Sequence, residues 1–319
     1  MILRLNVRFA AILLALLCLA PCGALSAGLT PLPMNQFMAG PVPKNVNYRK
    51  SNTFYQDDSI SVKISAGTYQ GVRYTTARVK IAHASQLRAV SAQQVRNPRA
   101  GFGDSTYNTA TGAQIAQAVN AVVGINGDYF ITDDKCQVMM RQCKQIRNRA
   151  DGRFDVLIVD KNGDFSAIRK CTASDYKAYY KKNSKNMYQA FCFGPVLVQD
   201  GEHTIGEKYE NRDIIARKKT QRAAIAQIGP LEYMLIVSDG DSVAYTEGLT
   251  VMEFSLLCEK LGKQASKTGF QLAYNLDGGN SAAIIYKKWT KGKLEYKKLN
   301  MVNRGRLLSD MICFYTLVR

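Results

Sequence analysis

Histidine is nearly missing from the 319 residues: only His83 and His203 occur, and neither sits in a motif. That argues against a serine–histidine triad, and no CxxC or Cys–His spacing marks a zinc site. Acidic residues are few relative to basic ones, 25 against 43, for a net charge of +18. No apolar stretch after the N-terminal one is long enough to span a membrane, and no repeat or low-complexity linker interrupts 55–319. With 46% apolar and 9% aromatic residues, the composition excludes a disordered chain, a collagen-like repeat and a polytopic membrane protein. A chain of this length can bury about 75% of its unfolded surface, so one large domain or two small ones are both allowed.

The first 26 residues read as a targeting segment. Arg4 and Arg8 make a basic start, Phe9 to Ala20 is an apolar run of 12, and Ala24-Leu25-Ser26 supplies small residues for cleavage near Ser26. The alternative is an uncleaved N-terminal anchor. Cleavage removes two arginines and leaves 41 basic against 25 acidic residues, about +16. The expectation is an exported protein, secreted or held at the cell envelope, with no transmembrane segment in the mature chain. Six cysteines then remain: Cys136, Cys143, Cys171, Cys192, Cys258 and Cys313. An even number in an exported chain suits disulfides, although six cysteines allow 15 pairings. Cys136 and Cys143 could close a local loop. Elimination leaves Cys171 with Cys192 and Cys258 with Cys313, although Cys258, on a helix, could equally be a buried thiol.

The basic residues are scattered or fall in two runs, Tyr176–Lys182 and Lys287–Lys293. The second lies between strand-like Ala282–Tyr286 and Leu299–Val302, which predicts an exposed hairpin with Lys291-Gly292 near its tip. Both runs read as solvated surface, so nucleic acid is not an expected partner. The charge can instead draw in anionic substrates or cell-surface polymers.

Residues 27–54 are rich in proline, asparagine and small residues and read as a loosely ordered leader. Asp58–Ile64 and Thr76–Ile81 alternate polar and apolar residues, the period of a half-buried strand. A helix is expected near Gly112–Val122, and further strands at Val156–Val159, Ala223–Ile228, Tyr233–Ser238 and Leu272–Leu276. The best-marked helix begins after Thr250, which forms a capping box with Glu253; Phe254, Leu257, Cys258 and Leu261 give its apolar face and Gly262 its stop. Strands and helices are mixed without strict alternation. The predicted fold is α/β in the mixed α+β sense: one domain over 55–319, a mixed twisted β-sheet flanked by helices, with room for an N-terminal strand layer.

Four segments carry candidate chemistry. Asn275-Leu276-Asp277-Gly278-Gly279-Asn280-Ser281 puts a carboxylate at a strand end beside two glycines that can aim N–H groups at an anion, although Asp-Gly-Gly is also an ordinary hairpin turn. Gly124–Phe130 places Asn126 and Asp128 on one side of an extended chain, or is simply a strand with a core Tyr129-Phe130. Phe193-Gly194-Pro195 lies between apolar runs. In Gln221-Arg222-Ala223-Ala224-Ile225-Ala226 one arginine enters an apolar strand and must bind either a carboxylate within the fold or a carboxylate or phosphate from outside.

Taken in order, these segments resemble the phosphodiester glycosidase family, from about Tyr55 to Arg319. The resemblance includes Asn126-Gly127-Asp128-Tyr129-Phe130, Phe193-Gly194-Pro195, Arg222-Ala223-Ala224-Ile225, Gly248-Leu249-Thr250, Asn275–Gly279 and the closing Arg304–Asp310. Asn280 and Ala226 depart from the family pattern, which often has glycine at both. The resemblance implies an exported hydrolase cleaving the anomeric bond of an N-acetylglucosamine-1-phosphodiester type of substrate. Phosphate is a good leaving group, so a strong general acid matters less than a carboxylate for water or oxocarbenium charge and donors for the phosphate. Asp277 takes the carboxylate role, with Asp128 second. Arg222 and the N–H groups of Gly278 and Gly279 would hold the phosphate, with Arg306 as a further candidate. Asn126 would orient sugar hydroxyls, and Asn280, Ser281, Thr250 and Gly194 would line the substrate. No cofactor is required, and a divalent cation on Asp128 and Asp277 is possible. The expected partner is a carbohydrate phosphodiester or an anionic glycan. Two other readings fit the same residues: a phosphodiesterase that breaks the P–O bond, and a non-catalytic module that binds or helps assemble an anionic envelope polysaccharide.

Overall fold

The period-two patterns near the start become a long hairpin, Ile60–Tyr69 with Val72–Ile81, closed by Gln70 and Gly71. Both turn residues have positive φ, 47° and 77°, the geometry of a two-residue hairpin loop that matches strand twist. This hairpin is described by a computed structural model that covers residues 29–37, 49–97, 99–102, 108–128, 136–240, 247–290, 293–300 and 306–318. The expected signal segment, Tyr129-Phe130, the Lys291-Gly292 tip and Arg304 lie outside the described residues.

The hairpin sits inside a nine-stranded sheet. From edge to edge its strands are Arg49–Lys50, Phe54–Gln56, Ile60–Tyr69, Val72–Ile81, Glu232–Ser238, Arg222–Gly229, Leu272–Leu276, Val196–Gln199 and Glu202–His203. A second sheet has five strands, Phe165–Ile168, Val156–Asp160, Met187–Cys192, Val138–Arg141 and Lys144–Asn148. The third sheet also has five: Lys293–Lys298, Ile284–Thr290, Val123–Asn126, Asp310–Phe314 and Leu87–Ser91. The class is α+β, as the sequence predicts, but the strands divide among three sheets and every described ladder is antiparallel. Short hairpin connections account for much of this, since parallel neighbours need crossovers of a dozen or more residues.

Side chains alternate across the third sheet and serve two cores. Ile125, Ile284, Ile312 and Phe314 join the main core shared with the other sheets. Val90, Ile285, Met311 and Cys313 face a smaller core with Ile115 and Val119. Helix α1, Gly112–Ala118, supplies Ile115 and ends earlier than predicted because Asn120 turns into the left-handed region at φ 52°. Helix α2, Ala173–Asn183, exposes Lys177, Lys181 and Lys182, so this basic run is a solvated face.

Helix α3, Val251–Ala265, carries the predicted Thr250–Glu253 capping box. It runs past Gly262, which is an interior position instead of the stop: a Cβ there would stand 2.7 Å from the backbone nitrogen of Phe270, so glycine serves close packing. The predicted basic hairpin is present with a tighter register, Ile284–Thr290 against Lys293–Lys298. Among the described residues no helix is long and apolar enough to cross a membrane.

The expected disulfides are not formed, and all six of these cysteines are free thiols. Cys136 precedes the strand Val138–Arg141 while Cys143 lies in the turn beyond it. Five extended residues span about 16 Å, well beyond disulfide reach. Cys258 belongs to the main core and Cys313 to the smaller one. Cys171 points its thiol at the Thr172 carbonyl, 3.5 Å away.

Part of the expected leader is tied to the fold. Leu32 is buried, and its N–H donates to Ser85 Oγ at 3.0 Å. The buried Arg88 donates to the carbonyls of Pro33, Ser85 and Gln36 and to the Tyr188 hydroxyl.

Candidate active site

Ends of the large and third sheets meet at one cleft. Leu272–Leu276 delivers Asp277, the neighbouring strand begins at Arg222, Val123–Asn126 ends beside them, and Asp310 opens the strand paired with Asn126 through Met311. Asn126 stitches the two sheets together. Its Nδ2 donates to the Asp277 carbonyl at 2.7 Å, and its Oδ1 accepts from Ala283 N–H at 3.1 Å. The amide expected to orient sugar hydroxyls is therefore spent on backbone and fixes the Asp277 turn.

Two cavities flank Asp277 and Arg306, which line both. The larger, about 360 Å³, is also lined by Thr109, Ser281, Leu307, Ser309 and Asp310. The smaller, about 170 Å³, adds Phe193, Asp213, Ile214, Ile215, Thr220, Arg222, Gly278 and Gly279. Asp277 is partly exposed between them. Ser281 lines the larger cavity but is buried, and its Oγ has no hydrogen-bond partner among the described residues.

Asp310 closes that cavity from below. Its carboxylate fits because residue 127 is glycine: a Cβ there would meet all three carboxylate atoms within 2.4 Å. Ser309 Oγ donates to Oδ1 at 3.3 Å, Arg141 Nη2 lies 3.6 Å from Oδ2, and Oδ2 has no hydrogen bond among the described residues. Burial first, and then Asp128, push the Asp310 carboxyl up to about 8 against the pull of Arg141 and Ser309, with Asp277 adding to the rise.

Asp128 lines neither cavity. It is fully buried and faces inward, with Oδ1 accepting from Arg141 Nη2 at 2.6 Å and Oδ2 from Cys192 N–H at 2.9 Å and the Cys136 thiol at 3.4 Å. The Arg141 guanidinium lies over the Phe191 ring, 4.2 Å from its centroid. The Asp128 expected as a second cleft carboxylate is thus the partner of a buried cation, and through Arg141 it adjoins Asp310.

Arg222 is placed at the smaller cavity, but its guanidinium is committed. Nε donates to the Leu249 carbonyl at 3.0 Å, Nη1 to Ile214 at 3.1 Å, and Nη2 to Ile215 at 3.0 Å and Lys218 at 2.6 Å. Its visible work is to hold the 214–218 loop. The Gly279 N–H, expected on phosphate, donates to the Gln221 carbonyl at 2.9 Å. A Cβ at Gly278 would meet that carbonyl oxygen at 2.7 Å, so the close crossing of these chains requires glycine there. Asn280 is exposed and accepts the Arg306 N–H at 3.0 Å, which seats the Arg306 segment.

Two expected positions stand apart from the cleft. The Thr250 hydroxyl is used in its capping box, and the residue lines a separate hollow with Ile205 and Arg217. Gly194 is buried beneath the strand, its carbonyl accepting from Asn275 Nδ2 at 2.7 Å. Among the described residues no group of three or more His, Cys, Asp or Glu side chains is arranged to hold a metal.

Arg141 was not foreseen, and Asp310 was foreseen only as the end of a matching segment. The sequence signal for Arg141 is that it ends the apolar Val138-Met139-Met140, just as Arg222 begins its own apolar strand.

No curated protein matches the sequence. Among solved structures, the chain is similar to the catalytic domain of zebrafish N-acetylglucosamine-1-phosphodiester α-N-acetylglucosaminidase, auto-inhibited by its pro-peptide, with TM-score 0.59 and 15% identity over 85% of this chain and 88% of that one. A hypothetical protein from Synechocystis gives 0.48 and 16% over 80% and 62%. A putative exported protein from Burkholderia pseudomallei gives 0.43 and 12% over 79% and 76%. The zebrafish likeness supports the fold, and the phosphodiester glycosidase family model matches residues 119–315, more than half of the sequence: the chain belongs to that family.

Proposed function

We propose that the chain is an exported hydrolase that cleaves the anomeric C–O bond of a sugar-1-phosphodiester, releasing the sugar and a phosphomonoester. The observation that carries this reading is the position of Asp277, a partly exposed carboxylate at a strand end, shared by two cavities together with the cation Arg306. The larger cavity, with its hydroxyl groups and Asp310, suits a single sugar; the smaller suits the phosphate and what it carries.

In this reading water attacks the anomeric carbon, Asp277 takes the water proton, and the C–O bonding pair leaves on the phosphate oxygen. Arg306 pairs with the phosphate as its charge grows. Asp310, held protonated by its surroundings, and Ser281 shape the wall of the larger cavity. Asn126 and Arg222 act through position, the first on Asp277 and the second on the 214–218 loop.

Hydrolysis of UDP-N-acetylglucosamine and of an α-N-acetylglucosamine-1-phosphodiester by protein lacking residues 1–26 tests this, beside Asp277→Asn and Arg306→Ala. Loss of a general base predicts a fall of about 10²–10⁴-fold in Asp277→Asn. In ¹⁸O water the label should enter the sugar; label in the phosphate would establish the phosphodiesterase reading instead. Sugar-phosphate binding that survives Asp277→Asn, with no turnover by either protein, would favour a binding module.

A further inference from the structure

We propose that the smaller cavity is a subsite for a hydrocarbon chain carried on the substrate's phosphate, so that the preferred phosphodiester is an amphiphile. The inference rests on the reading above of a sugar-1-phosphodiester substrate and adds the chemistry of its leaving side.

Only three large apolar side chains are conspicuously exposed among the described residues: Ile215 at 49%, Leu294 at 46% and Leu307 at 51%. Leu294 lies on the basic hairpin, away from the cleft. The other two stand on either side of it, Ile215 at the smaller cavity and Leu307 at the larger, with Arg306 and Asp277 common to both. Isolated exposed leucines need no explanation, but two that bracket one cation in one cleft do.

The backbone at Ile215 strengthens the case. Its φ is 44°, in the left-handed region that a β-branched residue rarely adopts. The conformation is held by Arg222, which binds the carbonyls of Ile214, Ile215 and Lys218 at once, and by backbone turn bonds from Ile215 N–H to Arg212 and from Lys218 N–H to Ile215. The loop thus carries strain at a position that also presents an apolar side chain to water, a combination that clusters at ligand clamps. Ile214 and Phe193, both buried, form an apolar floor behind it. Among the described residues the aromatic that lines this cavity, Phe193, is only 5% exposed and offers a nucleobase no open face. A phosphate at Arg306 followed by a hydrocarbon chain laid along Ile215 over Ile214 and Phe193 complements both the charge and the apolar side of the smaller cavity.

Calorimetric binding of methyl phosphate and hexyl phosphate to the folded protein tests the subsite without any bond being broken. Hexyl phosphate is expected to bind at least tenfold more tightly than methyl phosphate. The ratio should fall below about threefold in Ile215→Asn and stay as in the wild type in Leu307→Gln, which alters the sugar side of the cleft. Asparagine tolerates the left-handed backbone, so the first variant removes the apolar group while keeping the loop. A ratio near one in the wild-type protein, no measurable hexyl phosphate binding, or a ratio unchanged in Ile215→Asn would overturn the proposal. Chain-dependent binding together with no hydrolysis of any diester would sink the catalytic reading and leave the subsite standing.

Discussion

The Asp310 carboxylate rests directly on the backbone of Gly127, where a Cβ would lie 2.1 Å from Oδ2. That single contact explains why a glycine must sit between Asn126 and Asp128. Gly127→Ala should drive Asp310 out of its seat and cost about 1–3 kcal/mol, the usual penalty of overpacking. Urea unfolding would measure it, with Gly206→Ala, where a Cβ meets nothing within 4 Å, as the comparison.

Asp310 also makes stability depend on pH in an unusual direction for an aspartate. Folded, it keeps its proton up to about pH 8; unfolded, it ionises near 3.9. Between those values the unfolded chain sheds a proton that the folded chain holds, so stability falls as pH rises from about 4 to 8 and the penalty is absent below about 4. Asp310→Asn should be more stable than wild type at pH 8 and lose that part of the slope. Equal pH 5-to-8 differences in urea midpoint for the two proteins would refute this. Turnover that uses the protonated form should decline above about pH 8.

The buried pair Arg141–Asp128 gives a prediction about stability rather than chemistry. Arg141→Met leaves a fully buried carboxylate without its cation and should cost about 3–5 kcal/mol. Removing both charges with Arg141→Met and Asp128→Asn should recover much of that loss. If the double variant is no more stable than the single one in denaturant titrations, the ion pair is not the source.

Arg222→Lys keeps the charge and loses the fork. One ammonium cannot reach the four carbonyls that the guanidinium now binds, so about 3 kcal/mol of stability should go. The 214–218 loop should open, and limited proteolysis would report new cleavage there. An unchanged digestion pattern would mean that the loop is held by something else.

What could be read from the sequence was what lies close along the chain. The Thr250–Glu253 box, the alternation at Ile60–Ile64 and the glycines after Asp277 each reveal themselves within a few residues. The partners of those residues did not. Asp310 reaches Gly127 and Arg141 only because Met311 pairs with Asn126 and the strand Val138–Arg141 comes in from another sheet. Arg222 was recognisable as an arginine in an apolar strand, but not that backbone carbonyls would absorb its donors. Gly262 looked like a helix stop because the close passage of Phe270 is a tertiary fact.

Arg88 has a practical bearing on where the folding unit starts. Pattern alone would begin it at Tyr55, yet the Arg88 guanidinium finds acceptors at Pro33 and Gln36. A recombinant fragment cut at residue 55 would leave that cation only Ser85 and Tyr188 of these acceptors and uncover the ground on which Leu32 sits. Fragments meant for crystallisation or assay should therefore keep the chain from Leu29 onward.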